Sequence, residues 1–142
     1  MEPRITLITL AVADLERSLA FYRDGLGWPT EGIVGEEIEN GAVVFFELKN
    51  GLKLALWPRA SLANEARVDA DRHGPASFEV AHNVRSKQEV DDVVALARAA
   101  GAKVTNPPAD RAWGGYSAHF QDPDGHLWEI AWNPDPNFAI DD

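Results

Sequence analysis

Glu79, His119 and Glu129 are side chains of the types that hold a divalent cation, move a proton or attract a positively charged ligand. The chain has no cysteine, which excludes a thiolate nucleophile, a disulfide framework and a Cys-ligated zinc site, so such work falls to carboxylates and histidines. Whether His119 and Glu129 can meet depends on the turn between them. If Pro123-Asp124-Gly125 is a three-residue turn with Gly125 left-handed, cross-strand pairing sets His119 opposite Glu129. A two-residue turn would shift the register by one and rotate His119 to the other face.

The elements that must position these residues are written twice. One plan runs from Ile5–Val12 through a helix ending at Gly27 to a hairpin turning at Lys49-Asn50-Gly51. It recurs about seventy residues later as Ser77–Val84, a helix ending at Gly101 and a hairpin turning at Pro123-Asp124-Gly125. In the first copy Asp14 is the expected helix N-cap, and Leu15, Leu19, Tyr22 and Leu26 mark one helical face. In the second, Ser86 and Glu89 form a capping box, and Val90, Val93, Val94, Ala97 and Ala100 make the buried stripe. Residues 30–42 read as a strand and a loop. The stretch 59–73, interrupted by Pro and Gly around it, reads as a linker with one helical turn.

At 142 residues and 45% hydrophobic content the chain is expected to form a single α+β domain with one substantial core. Its organisation is module one 1–58, linker 59–73, module two 74–134 and tail 135–142. A net charge of -10 argues against DNA, RNA and anionic membranes as partners and leaves cationic or neutral ligands open. With no leader and no apolar stretch of membrane-spanning length, a soluble cytoplasmic protein is expected.

Val12-Ala13-Asp14-Leu15-Glu16-Arg17-Ser18 with Phe21-Tyr22 and Leu26-Gly27, and Asp122-Pro123-Asp124-Gly125-His126-Leu127-Trp128-Glu129, resemble the glyoxalase, bleomycin-resistance and ring-cleaving dioxygenase proteins, the vicinal oxygen chelate superfamily. The resemblance implies two βαβββ modules forming a curled mixed sheet around a cavity, usually in a homodimer. It also implies metal ligands on the first and last strands of each module. Counted in this sequence, those positions are Leu7, Ala55, Glu79 and Glu129, and the first two have no donor atom. The usual four-ligand set is therefore broken, and His119 is the one residue whose predicted register could join Glu79 and Glu129.

Strand alternation adds Thr9, Ala11, Trp57, Ser77, Ala81, Asn83, Ser117 and Ala131 to the cavity side. Ile8, Leu10, Val12, Leu54, Leu56, Val80, Ile130 and Trp132 then face the helices. Thr9, Trp57, Asn83, Ser117 and Trp113, the last in a Gly-rich loop that borders the pocket in the family, are the candidate ligand contacts. His82 is expected to be a structural residue, His73 and His126 to be surface histidines, and Glu47 to pair with Lys53.

The preferred expectation is a protein that binds a small organic molecule, cationic or aromatic, in its module cavity without the full metal site and without a cofactor, in the manner of bleomycin-resistance proteins. The alternative is a metal-dependent lyase or dioxygenase of the glyoxalase type, with nickel, zinc, manganese or iron held by Glu79, His119 and Glu129, which then serve as its catalytic residues.

Overall fold

The structure is a computed structural model that describes residues 3, 7–67, 69–70 and 79–140. The expectations for Ile5, His73 and Ser77 fall outside them. The chain divides into two compact units, Met1–His73 and Gly74–Asp142.

The first unit holds β1 (Leu7–Val12), α1 (Leu15–Leu19), β2 (Ile33–Val34), β3 (Val43–Glu47), β4 (Lys53–Pro58) and α2 (Arg59–Ala66). The second holds β5 (Glu79–Val84), α3 (Lys87–Ala99), β6 (Lys103–Asp110), β7 (Tyr116–Gln121) and β8 (Leu127–Trp132). Each forms an open four-stranded mixed sheet, ordered β1-β4-β3-β2 and β5-β8-β7-β6. The first strand of each runs parallel to the last, and the hairpins are antiparallel. This is the α+β, twice-repeated plan read from the sequence.

Local chemistry explains the elements. Asp14 accepts from the Arg17 amide at 3.0 Å and starts α1. Ser86 accepts from the Glu89 amide at 3.1 Å, but the Glu89 carboxylate reaches back to the Arg85 amide at 2.8 Å rather than to that of Ser86. Val90, Val94 and Ala97 are buried, as the stripe requires. In both hairpins three residues turn the chain, with the glycine left-handed at φ +80° for Gly51 and +84° for Gly125. They close through Leu48 N–H to Leu52 O at 2.9 Å and Asp122 N–H to His126 O at 3.0 Å.

The first helix departs from its expected regular course. After Leu19 it opens into a π-helical turn, Ala20–Gly25, in which the Leu26 amide donates to Phe21 O at 2.9 Å. The wide turn buries both Phe21 and Tyr22, whose rings meet edge to face with centroids 4.9 Å apart. Tyr22 and Trp28 then pack against Phe46, and Val12, Val44, Leu54 and Leu56 complete this core. In the second unit Phe120 stacks on Trp128 at 6.2 Å beside Ile130, Val90 and Val94. Each such side chain contributes about 1.5–3 kcal/mol on burial. Residues 59–66 form a two-turn helix where one turn was expected, because Ala60, Leu62, Ala63, Glu65 and Ala66 are good helix formers. Among the described residues no helix is long and apolar enough to cross a membrane.

Candidate functional site

β8 lies between β5 and β7, so one face of the second sheet can gather side chains from three adjacent strands. The three-residue turn at Pro123–Gly125 sets His119 opposite Glu129 in the β7–β8 register. On the other side β5 pairs Ala81 with Glu129, which leaves Glu79 one alternation along the same face. The result is a cluster: His119 Nε2 lies 3.5 Å from Glu79 Oε2 and 3.5 Å from Glu129 Oε2. The three donor atoms lie within 4.8 Å of one another. The His119 and Glu129 side chains are 22% and 24% exposed and Glu79 is 44% exposed, so the cluster opens to solvent through Glu79.

A separation of 3.5 Å is longer than a good hydrogen bond, so the three groups do not satisfy one another directly. It suits donors that share a cation, since ligands at about 2.0–2.2 Å from a tetrahedral centre stand roughly 3.4 Å apart. One imidazole and two carboxylates also match the preferences of zinc, manganese, iron(II) or nickel. Three protein ligands leave coordination positions open, the arrangement of catalytic rather than structural zinc. The donor set therefore fits a divalent metal.

The surroundings hold the cluster in place. Asp122, just past the end of β7, is fully buried and accepts from the Asp124 amide at 2.9 Å, the His126 amide at 2.8 Å and His126 Nδ1 at 2.8 Å. His126 is thus not the surface histidine expected: it is half-buried and clamps the turn that sets the His119–Glu129 register. The signal was present as Asp-x-Asp-x-His, an Asx turn extended by a ring nitrogen.

Pro107 and Pro108 have no amide hydrogens, and the β6–β7 ladder shifts register around them. Arg111 stitches the gap, donating from Nη2 to Pro107 O at 3.0 Å and Ser117 O at 2.8 Å, and from Nε to Ser117 Oγ at 3.0 Å. Ser117, a candidate ligand contact, is 1% exposed with its hydroxyl engaged by Arg111. It supports the sheet beneath the site and offers no open surface to a ligand. Sequence reasoning missed Arg111, for which the Pro-Pro pair was the available hint.

Asn83 is half-buried on β5 beside Ala131. Trp113 is 52% exposed, its ring folded over Gly115, where a Cβ would overlap it. In the first unit Thr9 and Trp57 share the β1–β4 face, and Trp57 Nε1 donates to Asn40 O at 2.8 Å. Glu47 pairs with Lys53 at 2.9 Å, as expected. His82 is exposed.

The first sheet repeats the register of the second with different chemistry. Leu7 matches Glu79 at the start of the first strand, Ala55 matches Glu129, and Phe45, paired with Ala55, matches His119. None of the three has a donor. Leu7 and Phe45 are 43% and 42% exposed, and Ala55 is buried.

At the α3 end of the second sheet the Tyr116 hydroxyl donates to Asp91 at 2.8 Å, and this hydrogen bond holds the phenol pKa above its ordinary value. Lys87 pairs with Asp110 at 2.6 Å and sits over the Tyr116 and Trp132 rings.

Residues 4–130 match the family model described as the Glyoxalase/Bleomycin resistance protein/Dioxygenase superfamily. The chain is 30% identical over 132 residues to the uncharacterised protein YraH of Bacillus subtilis (strain 168), covering 89% of this chain and 96% of that one. Among solved structures it is similar to a glyoxalase-related enzyme from Fulvimarina pelagi, with 33% identity, a TM-score of 0.80 and coverage of 98% and 97% of the two chains. A lactoylglutathione lyase from Agrobacterium tumefaciens is similar at 26% identity and a TM-score of 0.65, over 92% of this chain and 94% of that one. With the repeated sheets and the matched residues in agreement, the chain belongs to the glyoxalase/bleomycin resistance protein/dioxygenase superfamily.

Proposed function

We propose that Glu79, His119 and Glu129 bind a divalent metal and that the protein acts there on a small organic molecule bearing neighbouring oxygen atoms. The observation that carries this reading is the convergence of three donor atoms from three adjacent strands, all within 4.8 Å, with His119 Nε2 at 3.5 Å from both carboxylates and no hydrogen bonds among them. The likeness to a lactoylglutathione lyase supports a lyase step as the class of reaction. A divalent cation held by these residues would supply Lewis acidity to polarise substrate oxygens.

The chain's own residues divide the remaining work. His119 and Glu129, mostly buried, are the fixed donors. Glu79, the more exposed carboxylate, stands on the solvent side of the cluster, and its second carboxylate oxygen, not needed as a ligand, would serve to accept a proton from substrate. Leu7 and Ala55 add no donors, so the set is one imidazole and two carboxylates from a single sheet.

A second reading, binding and sequestration without metal, is favoured by one observation: the first sheet carries Leu7 and Ala55 at the two positions where ligands would be needed for a four-donor site. We extend the proposal to a cytoplasmic homodimer, for which sedimentation equilibrium is the check.

Metal content of protein purified without chelators or a His tag, by inductively coupled plasma mass spectrometry, separates the readings. About one equivalent of zinc, manganese, iron or nickel per chain, lost in Glu129→Gln, is expected. Protein that arrives empty and takes up none of these metals when they are added would overturn the metal reading and leave sequestration.

A further inference from the structure

We infer that Arg111 is a specificity-determining residue that receives a carboxylate of the substrate, so that the molecule taken up at Glu79, His119 and Glu129 is an organic acid. The inference rests on the metal reading of that cluster and names the class of molecule it accepts.

Ser117 lies two residues before His119 on β7, on the same face and about 7 Å along the strand. Arg111 Nε donates to Ser117 Oγ at 3.0 Å, which lays the guanidinium on that face rather than among the side chains packed on α3. Nη2 uses both its hydrogens, on Pro107 O at 3.0 Å and Ser117 O at 2.8 Å. Nη1 keeps two hydrogens that find no acceptor among the described residues. The carbonyls that fasten the group lie where β6 slips register around Pro107 and Pro108, so the guanidinium is fixed before any ligand arrives. A fork held in this way loses little further freedom on meeting a carboxylate.

Charge selects the partner. The chain carries a net charge of -10, yet all three acceptors of Arg111 are neutral oxygens and no carboxylate pairs with it among the described residues. A half-buried guanidinium in that state gains a charge-assisted hydrogen bond from an arriving anion. Glu79 and Glu129 repel the charged end of an acid, and Arg111 gives that end a place away from them while neighbouring oxygens approach His119. The strands of this sheet contribute one other cation to the face, Lys103, paired with Gln121 on the far side of His119. Lys103 is exposed and has no hydrogen-bond partner among the described residues, so nothing holds it toward a ligand.

Succinic acid monohydroxamate and the same hydroxamate ending in a carboxamide share a chelating head with adjacent oxygens and differ in the charge of the far end. Zinc affinity is measured first, by calorimetry, on the full chain and each variant; both compounds are then titrated into the zinc-loaded proteins. The acid is expected to bind about ten-fold tighter than the amide. Arg111→Gln should erase that preference by weakening the acid alone, Arg111→Lys should keep part of it, and Lys103→Gln should keep all of it. Zinc-loaded wild type that treats acid and amide alike, a preference that disappears with Lys103 instead, or an Arg111→Gln chain that loses both compounds equally would each overturn the assignment and leave the metal reading standing. A chain that takes up no zinc would overturn the metal reading, and this inference with it.

Discussion

Leu7, Phe45 and Ala55 on the first sheet occupy the places that Glu79, His119 and Glu129 occupy on the second, pair for pair. The backbone registers agree and both hairpins turn on a left-handed glycine. At these three places the side chains differ, and with them a donor set on one sheet gives way to apolar residues on the other. A repeated scaffold can keep its geometry while only one copy keeps the polar chemistry, because register is set by turns and core-facing residues that leave the other face free to vary. The helices differ in a related way. The first is fastened to its sheet by packed aromatic rings, Tyr22 against Phe46 with Phe21 edge-on to Tyr22, whereas α3 adds polar ties through Tyr116–Asp91 and Lys87–Asp110.

The strongest way to break this comparison is to give the second sheet the residues of the first: Glu79→Leu, His119→Phe and Glu129→Ala together. Affinity for zinc or cobalt, by calorimetric titration, should fall by more than the roughly 100-fold that loss of a supporting residue around a metal costs. Stability of the metal-free chain to urea should hold or rise by about 1 kcal/mol, since packed apolar groups replace charges that do not satisfy one another. A clear loss of stability would instead make the trio an ion cluster that holds the sheet.

The turns offer a smaller contrast. Asp122→Ala removes a buried carboxylate that accepts three hydrogen bonds, and about 3 kcal/mol of stability to urea should go with it. Leu48 holds the matching place in the first hairpin without such a network, and Leu48→Ala should cost about 1 kcal/mol. Equal costs would mean that the clamp adds nothing to the turn.

The smallest effect concerns Tyr116. Its folded pKa is raised above the ordinary value of 10.0 by the bond to Asp91, so the stability it contributes is complete below about pH 10 and is lost as pH climbs through the folded value. In a titration at 295 nm, with Tyr116→Phe to assign the signal, Asp91→Asn should bring Tyr116 back toward 10.0.

Much of this could be read from the residues. Pro123-Asp124-Gly125 specified the three-residue turn and hence the face of His119, and Asp14 and Ser86 marked where helices begin, because these signals act within a few residues of chain. The π-helical turn at Ala20–Gly25 was hidden, since side-chain spacing at Leu15, Leu19 and Tyr22 is nearly the same for an α-helix over so short a run. Arg111 was hidden for another reason: a long side chain chooses among backbone acceptors that exist only once Pro107 and Pro108 have disturbed the ladder. The placing of the 29–34 loop against β3 depends on Thr30 Oγ1 donating to the Phe45 carbonyl 15 residues away, which no local pattern encodes.

Pro107 and Pro108 have a consequence beyond their register shift. β6 is one of the two outer strands of the second sheet, and an outer strand is the kind of border along which another chain could add itself and seed aggregation. Two consecutive residues without amide hydrogens, in a strand whose pairing is already kinked, deny such an intruder the regular row of donors it needs. The corresponding border of the first sheet, β2, is only two residues long and offers little to extend. Each half of the molecule has blunted this border by its own means, and restoring donors with Pro107→Thr and Pro108→Val would open the second to growth.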